Sequence, residues 1–136
     1  MPSSVHDLPG GHLQQAQLSA HAAATATETT GVFNAPFTCK LVSVTVRWDA
    51  AISGADTNTT HVNVLNAGVA GTGTTELAAT DYVNATDAVK GAVVTLYEPS
   101  TPLALAAGAL IQIQHQKVGT GLALPTGLVS VTYEGA

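Results

Sequence analysis

Leu41-Val42-Ser43-Val44-Thr45-Val46-Arg47-Trp48 is the stretch on which the reading of this chain turns. Apolar and polar residues alternate along it without a break. Val42, Val44, Val46 and Trp48 fall on one side of an extended backbone; Ser43, Thr45 and Arg47 fall on the other. A period of two belongs to a strand with one face buried and one face wet. It makes Val42, Val44, Val46 and Trp48 the expected core face of a central strand. The same alternation returns in Leu110-Ile111-Gln112-Ile113-Gln114-His115-Gln116 and in Leu128-Val129-Ser130-Val131-Thr132-Tyr133.

Outward from these three segments, strands are expected over 22–28, 31–37, 39–49, 60–65, 76–82, 89–98, 109–117 and 128–134. Turn-forming clusters separate them, among them Ser53-Gly54-Ala55-Asp56, Asn66-Ala67-Gly68, Gly71-Thr72-Gly73, Glu98-Pro99-Ser100, Gly119-Thr120-Gly121 and Pro125-Thr126-Gly127. About eight short strands at regular spacing, with no long helical pattern between them, predict an all-β fold. The expected form is an antiparallel β-sandwich or jelly roll of two four-stranded sheets. Residues 1–20 read differently. Val5-His6-Asp7-Leu8-Pro9-Gly10-Gly11-His12 carries neither periodicity, and 13–24 has at most weak helical character because Gln and Ala are tolerant helix formers. The expected organisation is an extended N-terminal arm over 1–20 and a sandwich over 21–136. Val5, Leu8 and Leu13 are the apolar anchors by which such an arm would order against a partner.

Composition narrows the function. Of 136 residues only 10% are charged, against roughly 25% in ordinary soluble domains. A surface rich in Thr, Ser, Asn, Gln, Ala and Gly requires little desolvation when it packs against a neighbour. Four Lys and Arg residues and a net charge of −5 argue against nucleic acid as partner, since that affinity comes from neutralising phosphates. No apolar run approaches the roughly 18 residues of a membrane span, so no membrane is expected. The N-terminal residues lack the basic and apolar regions of a secretory signal. Cys39 is alone and reads as a small buried strand residue.

No catalytic or cofactor-binding constellation emerges. None of the five histidines (His6, His12, His21, His61, His115) stands at metal-ligand spacing from another, and no metal or cofactor is expected. By parity His61 shares a face with Asn63 and Leu65, and His115 with Ile111 and Ile113, as packing or hydrogen-bonding strand residues do. Asp56 and Asn58 lack the glycine and closing acid of a calcium loop. Gly71-Thr72-Gly73 lacks the lysine and helix of a phosphate loop. No Gly-x-Ser-x-Gly turn is present, so no enzyme is expected.

Taken in order, the features resemble the small jelly-roll decoration, or cement, proteins of tailed-bacteriophage capsids. First comes the arm with Val5-His6-Asp7-Leu8-Pro9. Gly31-Val32-Phe33-Asn34-Ala35-Pro36-Phe37 then leads into the long strand, and a Gly/Thr-rich stretch follows over 66–75. Late in the chain stands Leu103-Ala104-Leu105-Ala106-Ala107-Gly108-Ala109-Leu110-Ile111. The resemblance implies a homotrimer at three-fold positions on the capsid surface of a virion, clamping major capsid protein subunits. It also implies synthesis in the host cytoplasm and no catalytic residues. The alternative is a carbohydrate- or receptor-binding sandwich of a head fibre or tail. That reading needs exposed aromatics, whereas parity places Trp48 on the apolar face.

Overall fold

The structure is a computed structural model that describes residues 10–136. Nine strands run through them: β1 (Gly11–Leu18), β2 (Glu28–Asn34), β3 (Cys39–Trp48), β4 (Thr59–Gly68), β5 (Thr75–Asp81), β6 (Val93–Tyr97), β7 (Leu103–Leu105), β8 (Leu110–Val118) and β9 (Gly127–Gly135). Their pairing is nested and antiparallel. β1 pairs with β9, β2 with β8, β3 with β6 and β7, and β4 with β5. The chain is thus one long hairpin with the β4–β5 turn at its tip. Rolling that hairpin up brings β9 beside β3 and β8 beside β4. Two sheets result, β1-β9-β3-β6 with β7 at the end of β3, and β2-β8-β4-β5. This connectivity is that of a jelly roll, in which the roll arranges two sheets face to face.

The core lies between the sheets. β3 contributes Leu41, Val44, Val46 and Trp48, β9 contributes Val129 and Val131, β4 contributes Val62 and Val64, and β8 contributes Ile111 and Ile113, all of them buried. The inner face is built mostly from β-branched and aliphatic side chains, which suit a pleated, half-buried surface. At one end the rings of Phe33 and Tyr133 meet at 4.8 Å. At the other, Trp48 lies over Gly127, where a Cβ atom would come within 2.8 Å of the indole. Only glycine leaves room there for the largest side chain of the core.

Four expectations are corrected by the backbone. The β3–β9 register shifts between Leu41 and Ser43, so Val42 is the extra residue of a bulge. It is half-buried, and Leu41 takes the inward place instead. A bulge reverses parity locally, which unbroken alternation in the sequence conceals. The segment 22–28 is not a strand: it is a connection tied by one bridge between His21 and Leu124, and the strand begins at Glu28. The stretch with weak helical character is the strand β1, in register with β9 from Gly11–Glu134 to Leu18–Gly127. Its Gln and Ala residues have no strong local preference, so the unpaired edge of β9 decides. The expected arm over 1–20 therefore includes a strand of the sandwich, while Val5 and Leu8 lie outside the described residues.

Candidate functional site

Two features of the fold have the means to engage something else. One is a buried polar cluster at an end of the sandwich. The other is the outer face of the β1-β9-β3-β6 sheet.

The cluster joins three residues distant in sequence. In the β2–β8 register Glu28 stands opposite His115. His115 points inward along β8 in line with Ile111 and Ile113 and is 2% exposed. His21 is brought alongside by the β1–β2 connection, whose backbone is fixed by a reciprocal pair of hydrogen bonds with Leu124 at 2.9 and 2.8 Å. The β8–β9 connection that carries Leu124 is itself held where the Thr60 hydroxyl accepts from Leu122 N–H and donates to Leu122 carbonyl oxygen. The two imidazoles stack with centroids 5.0 Å apart and planes at 26°. His21 Nδ1 lies 3.3 Å from Glu28 Oε2. The Nε2 atoms of both rings are buried and have no hydrogen-bond partner.

Electrostatics follow from that geometry. Burial, and then the neighbouring His21, push the His115 imidazole down to about 4, with Glu28 opposing. His115 is thus neutral at pH 7 and offers a lone pair from within the core. Next to it, Trp48 Nε1–H donates to the Tyr82 hydroxyl at 2.8 Å, and burial pushes that phenol up. Burial likewise raises the Cys39 thiol, which leaves it a packing residue rather than a nucleophile.

Other sequence candidates are placed apart. His61 Nδ1 pairs with Asp81 Oδ1 at 3.1 Å on the outer side of β4 and β5. On that same side Asn63 donates to Gln114 and Gln116, each at 3.1 Å. Asn58 accepts from the Thr120 N–H at 3.0 Å, so its side chain is committed to a loop rather than to an Asp56 cation site. The His21–Glu28–His115 grouping was not visible in residue spacing. Its only sequence signal is the inward parity of His115, because the other two residues belong to a connection and to a strand start that alternation misplaces.

The outer face of the first sheet carries few charges, with Lys40 and Arg47 exposed on β3 among uncharged residues. Register aligns Gln15, Ser130, Thr45 and Thr95 in one row across β1, β9, β3 and β6. Within it Gln15 Nε2 donates to Ser130 Oγ at 3.2 Å. A neighbouring row holds Gln17, Leu128, Arg47 and Val93. Leu13 stands on β1 opposite Thr132 and is 61% exposed, and Val93 on the far edge is 54% exposed.

No protein-family model matches the chain, and no curated protein matches it. Among solved structures, the chain is similar to a chain of the cyanophage Pam1 capsid asymmetric unit. That likeness covers 100% of this chain and 93% of the other, at 20% identity and a TM-score of 0.50. It also matches a chain from the structure of the infectious bursal disease virus Gx strain, over 96% of this chain and 33% of that one, at 12% identity and a TM-score of 0.40. At such identity the cyanophage likeness is one of fold: the jelly roll is an architecture that a chain of a viral capsid also has.

Proposed function

We propose that this protein is a non-enzymatic structural component of a bacteriophage virion. In this reading it is a decoration protein, made in the host cytoplasm, that binds the outside of the capsid as a homotrimer and ties major capsid protein subunits together. The observation that carries the proposal is the end-to-end likeness to a chain of a phage capsid asymmetric unit, running over 100% of one chain and 93% of the other.

The surface supports the reading. Rows of Thr, Ser and Gln across four strands place few ions in the way of a close contact, so little charge need be desolvated. A trimer that touches several shell subunits gains avidity from contacts that are individually weak. Leu13, exposed on the edge strand, is the described member of the anchors Val5, Leu8 and Leu13 that we assign to the capsid contact. The sugar-binding alternative has less to stand on. Trp48, Tyr82 and Tyr133 are all buried, which leaves Tyr97 and Phe37, both half-buried, as the rings that could still stack on a sugar.

The test is to mix the purified protein with phage heads assembled from major capsid protein. Light scattering of the free protein should give three chains. Imaging of the heads should add ordered density at three-fold positions. A monomer in both settings, or a failure to co-sediment with heads, would overturn the proposal.

A further inference from the structure

We infer that His21, Glu28 and His115 form a binding site for one divalent transition-metal ion of the zinc class. The inference rests on the cluster alone and is independent of the virion reading.

One nitrogen from each ring and one Glu28 oxygen all lie within 4.8 Å of one another. Two imidazoles and a carboxylate suit zinc, whereas calcium and magnesium prefer oxygen alone. Both Nε2 atoms are buried without a partner, and a buried polar atom left in that state is costly unless something satisfies it. A cation shared between the two rings and the carboxylate would give buried ring nitrogens a partner, and the rings are already held together, with centroids 5.0 Å apart.

The rings stack with planes at 26°, so binding one ion between them would call for a small rotation of the side chains. The Glu28 side chain is 47% exposed. Its carboxylate already reaches His21 Nδ1 at 3.3 Å, and its solvent side would be the route by which an ion enters and water completes a four-coordinate shell. The ion would fasten the β1–β2 connection, which carries His21, to β8, which carries His115. It would act as a clip at that end of the sandwich, stabilising the folded state by binding it and not the unfolded chain.

The untagged full chain, stripped with a chelator, is titrated with zinc chloride at pH 7.5 by calorimetry, with metal content measured after dialysis. One zinc per chain with micromolar or tighter affinity is expected, together with a rise in melting temperature and a change in Trp48 emission. That indole is the sole tryptophan, and its ring lies 6.3 Å from His115. Glu28→Gln keeps the shape of an exposed side chain and should weaken binding by about tenfold or more, at least the loss seen when a group that merely orients a ligand is removed. His115→Gln should abolish it, and His61→Gln should leave it unchanged. No saturable zinc binding would overturn the inference, as expected if a water molecule bridges the two rings. Binding that Glu28→Gln leaves untouched would overturn it equally, by placing the metal on other histidines. Should His115→Gln fail to fold, Glu28→Gln decides.

Discussion

β3 and β1 belong to one sheet and are separated by a single strand, yet they are held in opposite ways. β3 is paired on both sides, by β9 and by β6 and β7. It buries Leu41, Val44, Val46 and Trp48. β1 is paired on one side only, and of its eight residues only Leu18 is fully buried. The central strand is fixed by side chains and the edge strand by its backbone ladder. Damage should therefore fall off from the centre of the sandwich to its edge, and each prediction below tests a step of that gradient.

The steepest loss belongs at the centre. Trp48→Ala removes the largest core side chain and leaves the buried Tyr82 hydroxyl without its donor. Large-to-small changes at such sites cost about 3–5 kcal/mol. Urea denaturation should show a midpoint lowered by that amount divided by the slope, with the slope unchanged. A loss under about 1 kcal/mol would mean that the indole is not a core element and that the centre-to-edge contrast fails.

β8 is the counterpart of β3 in the second sheet, and His115 extends the test to a central polar residue. Its imidazole is lowered from 6.5 to about 4, first by burial and then by His21, against the pull of Glu28. Folded protein keeps His115 neutral while the unfolded chain takes up a proton below its ordinary value. The stabilisation is therefore complete above pH 6.5, declines as pH falls toward 4, and changes no further below that. Across the window the metal-free protein should lose about 3 kcal/mol from this group. Denaturation of the parent chain and of His115→Gln at pH 7 and pH 4 measures it, and the variant should show the smaller difference.

How far these contrasts could be read in the sequence follows the same gradient. The central strands were legible because burial on one face writes an apolar–polar alternation, as Val44, Val46 and Trp48 do. The two-sheet sandwich followed from several such strands and the turns between them. Val42 was misplaced because a bulge alters backbone parity without altering the residue pattern. β1 carries no strand signal in its sequence because an edge strand held by backbone bonds needs no apolar pattern. The His21–Glu28–His115 cluster depends on the β2–β8 register and on a loop crossing, both of them long-range facts that spacing along the chain does not encode.

Between centre and edge lies β9, and Gly127 at its start tests the intermediate step. A Cβ there would meet the Trp48 ring at 2.8 and 3.1 Å and a Val46 methyl at 3.1 Å. The indole has no slack, since its Nε1–H is tied to Tyr82. Gly127→Ala should therefore destabilise by about 1–3 kcal/mol, the range for an overpacked core. A double variant with Trp48→Phe should recover part of the loss, because a smaller ring leaves space for the methyl group. Thermal unfolding of the two single variants and the pair forms the cycle. No recovery would show that the cost arises from the backbone and not from the crowded indole.

The smallest effect on stability belongs to the edge. Leu13 is 61% exposed and faces outward beside Thr132, so Leu13→Ser removes little buried surface. Its stability cost should stay within about 0.5 kcal/mol, as for surface changes in general. A point change is the right probe, because deleting the whole of β1 would uncover the edge of β9 and the buried Leu18 and confuse folding with function. If Leu13 anchors the protein to a capsid, burial of its side chain there contributes roughly 1.5–3 kcal/mol per contact before ordering costs. Repeated in each chain of a trimer, the loss multiplies through avidity. Leu13→Ser should then fold and melt like the parent chain yet be displaced from heads at much lower competitor concentration. A variant that melts early would show that the edge strand depends on this side chain. One that binds heads as tightly as the parent would remove Leu13 from the contact and shift the search to the uncharged row of Gln15, Ser130, Thr45 and Thr95.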